Sequence, residues 1–272
     1  MLIAFLIMLR EGIEAALIVG IVAGFLKQSG HHHLMNKVWL GVISAALLCV
    51  GIGLAIHRLT GEIPQKEQEF VVGAIGLVAV GMLTYMVLWM QKAARSMKQH
   101  LQDSVQAALN QGGSGWALVL MAFLAVAREG LESVFFLIAV FGQSSDHKMP
   151  LGAVAGLATA VIIGVLLYQG GIRLNLGKFF RWTGVFLIFV AAGLLSGAFR
   201  ALHEAGVWNI GPTVIADFSH ILHDDSPLGV VLGGFFGYTA HPTVSDAAWY
   251  FVYLIPVLFW FLRGSRAASS SR

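Results

Sequence analysis

Seven stretches of this chain are long and apolar enough to cross a hydrocarbon core of about 30 Å, which takes roughly 20 helical residues. They are Met1 to Leu26, Val38 to Ile56, Glu69 to Met90, Trp116 to Gly142, Met149 to Gly170, Phe180 to Ala205 and Ala247 to Leu262. In lipid every backbone polar group must be satisfied internally, so only helices and closed barrels can span. Barrel strands read as short segments of alternating polarity, whereas these runs are continuous. The expected fold is therefore an all-α polytopic membrane protein with seven transmembrane helices. Composition agrees, with 57% hydrophobic and 11% charged residues against about 25% charged in soluble domains, which excludes an ordinary soluble globule. The net charge of +3 is scattered in small groups, so the expected partner is membrane lipid and no nucleic acid. The one cysteine, Cys49, lies inside the second run, which excludes a disulfide framework or a thiolate metal cluster. The chain opens directly into apolar sequence, so the first span is expected to serve as its own export signal.

Lys and Arg outside these runs divide unevenly. Eleven fall on the side that receives Lys27, Lys92, Arg173 and Arg263, and only Arg58, Lys66 and Lys148 on the other. Basic residues favour the cytoplasmic side, so the N-terminus is expected outside and the C-terminus inside. GxxxG pairs at Gly20/Gly24, Gly152/Gly156, Gly193/Gly197 and Gly233/Gly237 let helix backbones approach closely, and Pro256 is positioned to kink the last span.

Three basic residues remain, Arg10, Arg128 and Arg200, all within predicted spans. Two of them open matching pentapeptides, Arg10-Glu11-Gly12-Ile13-Glu14 in span one and Arg128-Glu129-Gly130-Leu131-Glu132 in span four. A charge at mid-depth costs about 2.5 to 3.5 kcal/mol on the translocon scale, so six unpartnered charges would cost on the order of 15 to 20 kcal/mol. On a helix the two glutamates of each motif lie about 60° apart and the arginine about 40° from the second glutamate, so each motif presents two carboxylates and a guanidinium on one face. The arginine-first order is the weaker helical pairing and leaves a second glutamate in each motif unmatched. The glycine between the glutamates leaves room for a neighbouring helix or an ion. Each motif could be an internally neutralised patch that fastens two helices, but its duplication at mid-depth favours a functional site.

Three spans separate the motifs, so spans one and four run in opposite directions. Residues 1–115 and 116–205 are then an inverted repeat of three spans each, followed by an extracytoplasmic segment 206–246 and a last span with a cytoplasmic tail, 247–272, in a single membrane domain. Transporters of this build bind substrate at the midplane between the repeats. Glu11, Glu14, Glu129 and Glu132 would converge there with Arg10 and Arg128, a formal charge of −2 and an all-oxygen donor set. Such a set suits a hard metal cation.

These paired Arg-Glu-Gly-x-Glu motifs resemble those of the oxidase-dependent iron permease family. The resemblance covers Met1 to Leu262 and includes Pro64-Gln65-Lys66-Glu67-Gln68-Glu69, Gly171-Ile172-Arg173-Leu174-Asn175-Leu176-Gly177 and His203-Glu204-Ala205-Gly206. It implies high-affinity iron uptake across the bacterial cytoplasmic membrane, with Glu11, Glu14, Glu129 and Glu132 handling iron and Arg10 and Arg128 as their motif partners. It implies no permanently bound cofactor, iron as the substrate, and partners: a periplasmic cupredoxin-like iron-binding protein and a haem peroxidase in bacteria, or a multicopper ferroxidase in fungi. Carboxylates suit iron in either oxidation state. Alternatives are a permease for another cation such as manganese or lead, or a non-transporting scaffold for an iron oxidase.

Secondary candidates lie mostly on the expected outer side. Glu62, Glu67 and Glu69 and the Lys- and Arg-free segment 206–246 form either a cation-focusing vestibule or a solvated surface. Asp217, His220 and His223 have the spacing of one helical face, which reads as a metal-receiving site or an exposed face. His203 and Glu204 belong to the same outer region, with Arg200 and Glu204 four apart as an interfacial ion pair. His31, His32 and His33 form an inner tract that is either a metal catcher or a solvated loop. Leu228 to Phe236 is too short to span and reads as a re-entrant turn. Tyr85, Trp89, Trp116, Trp182, Trp249 and Trp260 read as interfacial anchors. Ser196 and His203 share a helix face as a seryl-histidine pair for an intramembrane hydrolase, though no GxSxG surrounds the serine. No GxxxxGK[ST] motif is present, so ATP hydrolysis is not expected of this chain.

Overall fold

The computed structural model describes residues 1–60, 64–93, 103, 105, 116–143, 148–169, 176–211, 213–223 and 226–267. Glu62, Asp224, Asp225, Arg173 and most of the segment before Trp116 lie outside the described residues. The helices are α1 (Leu2–Gln28), α2 (Met35–Thr60), α3 (Gln65–Ala93), α4 (Trp116–Gly142), α5 (Met149–Tyr168), α6 (Leu176–Glu204), α7 (Pro227–Phe236) and α8 (Val244–Ala267). Seven of them match the seven expected spans. Five, namely α2, α3, α5, α6 and α8, are long and apolar enough to cross a membrane by length and composition. The other two, α1 and α4, are just as long, but any window of spanning length in them contains three charged residues because of the motif pentapeptides.

Ends are set by local chemistry. After α1, Gly30 takes φ +74° and the His31 N–H bonds Leu26 O at 2.9 Å. After α6, Gly206 takes φ +76° and the Val207 N–H bonds Leu202 O at 3.0 Å. Both are left-handed glycine closures that satisfy carbonyls the helix leaves open. At the start of α8, Thr243 N donates to Asp246 Oδ2 and Asp246 N to Thr243 Oγ1, each at 3.1 Å, a reciprocal capping box. The segment expected to be a re-entrant turn is instead a ten-residue helix, α7. Its Ser226 hydroxyl accepts from Gly229 N at 2.9 Å, Pro227 occupies the first turn, and together these supply a helix start.

The main helix pairs are α1 with α5, α2 with α4, and α3 with α6, with α8 laid against α6. Their register can be read where glycines meet neighbouring backbone. Gly152 of α5 faces Met1, Gly156 faces Phe5, and Gly164 faces Ala16, so α1 and α5 run parallel. Gly41 of α2 faces Val119 and Gly53 faces Val134, so α2 and α4 also run parallel. Gly73 of α3 faces Ala198 whereas Gly184 of α6 faces Val87, so α3 and α6 run antiparallel.

Two apolar clusters lie on either side of the motif level. One joins Ile3 and Ile7 of α1 to Leu83, Phe136, Leu187 and Phe261. The other joins Val22 and Leu26 to Val38, Leu118 and Ala122. The outer surfaces of α2 and α5 expose Ile43, Leu47, Val50, Leu54, Leu151, Val154, Ile162 and Val165, apolar faces that suit hydrocarbon and would be a liability in water.

Candidate functional site

Arg10 organises the centre. Its Nη1 donates to Glu11 Oε1 at 2.8 Å, and its Nη2 lies 3.0 Å from Glu14 Oε1. The other side of the guanidinium is met by Met86 Sδ and, at 3.2 Å, Met90 Sδ, one helical turn apart on α3. Arg10 is only 2% exposed. A lysine would offer a point charge where these four acceptors require a planar fork.

Across from it, α4 contributes Glu129. One carboxylate oxygen from each of Glu11, Glu14 and Glu129 lies within 4.8 Å of the other two. Oxygens on opposite sides of an ion with bonds of about 2.0 to 2.6 Å are spaced this way. Glu11 Oε2, Glu129 Oε2 and Glu132 Oε2 are buried with no hydrogen-bond partner. Glu14 Oε1 reaches Arg10 only as an ion pair, without hydrogen-bond alignment. A buried carboxylate oxygen without a donor is costly, and the grouping of Glu11, Glu14 and Glu129 forms a place for a cation.

The second motif is more open. Arg128 Nε lies 3.2 Å from Glu132 and 3.6 Å from Glu129, with half of its side chain exposed. Its guanidinium covers the Trp89 ring at 5.2 Å. Trp89, expected as a membrane anchor, is thus a partner of the second arginine. Each arginine touches both glutamates of its own motif, so the expected unmatched second glutamate is corrected. Three of the four glutamates form the tight group. Glu132 stays with Arg128, while its charge still acts on Glu14.

The motif glycines let the helices that carry these residues close up. A methyl on Gly12 would sit 2.5 Å from Ala160 Cβ on α5, and one on Gly130 would sit 2.6 Å from Cys49 Sγ on α2. The spacing of the pentapeptide signals a close approach here, but not to which helix. Met86, Met90, Ala160 and Cys49 carried no such signal, because each stands as an ordinary apolar residue in an apolar run.

Away from the centre, several expectations change. Arg200 pairs with Asp246 at 3.1 Å and not with Glu204, because α8 packs against α6 and brings a buried carboxylate to it. Ser196 Oγ donates to Asp246 O at 3.1 Å, while His203 Nδ1 lies 2.7 Å from Trp208 O. The seryl-histidine pair is therefore not assembled. His220 lies in a turn over residues 219–221, with Asp217 and His223 in irregular backbone on either side, so the three do not form a helical face. Ser219 donates its hydroxyl and its N–H, the latter at 2.8 Å, to Asp217 Oδ1, and His241 Nε2 lies 3.3 Å from the same oxygen. These Ser219 bonds, with His241 and His220 nearby, hold the Asp217 carboxyl below the usual aspartate range. Glu67, His203 and Glu204 are exposed and Glu69 is half-buried, with Glu69 and Glu204 near enough for their charges to interact. Trp249, half-buried, stacks on Phe199 at 4.0 Å.

Residues 1–271 match the Iron permease FTR1 family. The chain is 52% identical over 272 residues to the ferrous iron permease EfeU of Yersinia pestis, covering 100% of this chain and 96% of that one. It is also 52% identical to the proteins of that name from Escherichia coli O6:K15:H31 and Escherichia coli O157:H7, with 100% of this chain and 99% of each relative covered. No solved structure matches.

Proposed function

Because the chain belongs to the iron permease FTR1 family, we propose that it carries iron through a centre built from Glu11, Glu14, Glu129 and Glu132. It is a multi-pass inner-membrane protein, and its relatives are named as permeases. The observation that carries the proposal is the convergence of Glu11, Glu14 and Glu129 from two helices within 4.8 Å, with carboxylate oxygens on both motifs lacking donors.

The packing supports an inverted repeat. Adding 118 to positions in α1 and 111 to those in α2 and α3 converts the contacts of one half into those of the other. Gly41 against Val119 becomes Gly152 against Met1, Gly12 against Ala160 becomes Gly130 against Cys49, and Gly73 against Ala198 becomes Gly184 against Val87. Since α1 and α5 run parallel, and alternate spans run in opposite directions, α1 and α4 are opposed. The glutamate centre then lies between the repeats at mid-depth, with the N-terminus outside.

In that centre four carboxylates and two guanidiniums sum to −2, so a divalent ion neutralises the group. Arg10 keeps the empty site from holding three bare charges at low dielectric, where repulsion is strong. An all-oxygen set accepts ferrous or ferric iron. Oxidation, where it occurs, falls to the periplasmic cupredoxin-like protein and haem peroxidase that the family resemblance implies.

Proteoliposomes holding this chain and supplied with radiolabelled Fe(II) plus reductant, or with chelated Fe(III), test the proposal. Uptake by the wild type that is lost in both Glu14→Gln and Glu132→Gln is expected, and the preferred supply identifies the ion. Full uptake in both variants would discard the glutamate centre, and no uptake by the wild type from either supply would favour the scaffold reading.

A further inference from the structure

The two ends of the repeat pair are chemically comparable but differently closed. Under the inverted-repeat reading, on which this inference rests, Gly142 and Gln143 at the end of α4 correspond to Gly24 and Phe25 near the end of α1. A methyl on Gly142 would meet Val72 of α3 at 3.2 Å, whereas Gly24 has nothing within 4 Å. In the same sense α3 packs along α4, while the equivalent pair, α1 and α6, barely touches. Beside Gly20, Gly24, Gly164 and Lys27 a cavity of about 630 Å³ opens. It reaches Ala16 and Leu17, within one turn of Glu14. This opening lies at the end of the bundle where α1 finishes and stops short of the motif glutamates, none of which lines it.

At the opposite end, which carries residues 206–246, a polar side chain sits on the outer side of the apolar cluster of Leu83, Phe136 and Leu187. The Gln143 amide lies between Gly76 of α3 and Gly197 of α6, and a methyl on Gly76 would stand 2.9 Å from Nε2. A methyl on Gly197 would overlap the amide and stand 2.8 Å from Cδ. Nε2 donates to Leu194 O at 3.2 Å. Beside it lies a cavity of about 90 Å³, lined by Arg200, Tyr238 and Gly237 among others, and a further one of about 240 Å³ lies next to Gly237 and Tyr238. Three helices thus meet on a single polar wedge seated between two glycines. An amide is suited to this position because, when the helices part, water replaces its one hydrogen bond; a hydrocarbon wedge would resist wetting.

We propose that Gln143, seated between Gly76 and Gly197, is the gate residue that closes the 206–246 end of the permeation path in the conformer described here. For iron to reach Glu129 from that end, α4 has to part from α3 and α6 at Gln143 while α6 closes on α1 at the other end, which exchanges the roles of the two repeats.

A disulfide across the gate tests this. Cys49 is the chain's only cysteine, so Gln143→Cys with Gly197→Cys in a Cys49→Ala background yields one possible bridge. The expected result is that oxidation forms the bridge and lowers radiolabelled iron uptake more than tenfold. Reductant then restores it, and iron binding to the bridged protein in detergent persists from the end where α1 finishes. Failure of the bridge to form, or unchanged uptake once it has formed, overturns the proposal. A reversible block found together with fully active Glu14→Gln and Glu132→Gln variants would keep the gate and discard the glutamate centre. If the double variant fails to fold, Gln143→Ala replaces it. Shortening the wedge should raise several-fold the rate at which a membrane-impermeant thiol reagent, added outside cells, modifies Leu194→Cys, and an unchanged rate overturns the gate.

Discussion

Gly12→Ala isolates the contact on which the glutamate centre rests. The new methyl would stand 2.5 Å from Ala160 Cβ, and ordinary packing needs about 3.4 Å or more, so α1 and α5 must part by about 1 Å. Overpacking of this kind costs about 1 to 3 kcal/mol, offset by the roughly 1 kcal/mol that alanine gains over glycine within a helix. The net loss of stability is about 0 to 2 kcal/mol. Function is more sensitive, because Glu11 and Glu14 flank Gly12 and metal–oxygen distances tolerate only about 0.2 Å. A shift of about 1 Å relative to Glu129 should lower iron uptake at least tenfold. Gly51→Ala and Gly81→Ala are the controls, since nothing lies within 4 Å of either position and the helix gain stands alone. Combining Gly12→Ala with Ala160→Gly returns the lost space and should recover uptake, with a coupling energy of about 1 to 3 kcal/mol. The matching pair in the other repeat is Gly130→Ala with Cys49→Gly. Thermal unfolding in detergent and proteoliposome uptake, measured on the single and paired variants, give both quantities. Wild-type uptake by Gly12→Ala, or additive effects with no rescue, would refute the reasoning.

The two motif arginines should respond differently to the same change. Arg10→Ala leaves Glu11 and Glu14 buried without their cation and is expected to destabilise by about 3 to 5 kcal/mol. Arg128→Ala removes a half-exposed partner of two largely buried glutamates and should cost about 1 to 3 kcal/mol, less than Arg10→Ala, which denaturation of the two purified variants compares directly. Asp246→Ala removes both the cap of α8 and the partner of Arg200. A loss of about 1 to 2 kcal/mol is expected, and Asp246→Asn, which keeps an acceptor for the cap, should recover part of it. Ser219→Ala should raise the titration of Asp217 toward the usual aspartate range, as read by carbon NMR of labelled aspartate in nanodiscs. The sign follows from the lowered folded value: the stabilising contribution is full above the unfolded titration, disappears as pH falls through the folded one, and shrinks in the variant.

Most of the helical framework was legible because crossing a hydrocarbon core is a local demand. Trp116–Gly142 was bounded by the same residues in sequence and structure, α2, α3 and α8 extend past their apolar runs at both ends by turns that hydropathy does not register, and α5 stops at Tyr168, two residues short of its run. Capping also explains the missed helix α7, where Ser226 and Pro227 start a helix that its apolar length alone did not suggest. The contact of each arginine with both glutamates was only half visible, since helical spacing shows which side chains share a face but not how far a guanidinium reaches.

The sequence by itself determined the number of long helices, the position of the charged pentapeptides midway along two of them and the need for something to compensate them. Each follows from backbone satisfaction and charge burial along a single segment. Only the tertiary structure decided that α1 lies on α5 and α4 on α2, and that Met86 and Met90 shelter Arg10 while Trp89 covers a half-open Arg128. It also decided that Arg200 chooses Asp246, and that Gln143 wedges between two glycines. Between helices in lipid there is little hydrophobic preference to read, because every face is apolar. The choice of neighbour falls to close fits between small residues and to polar groups that meet from distant parts of the chain.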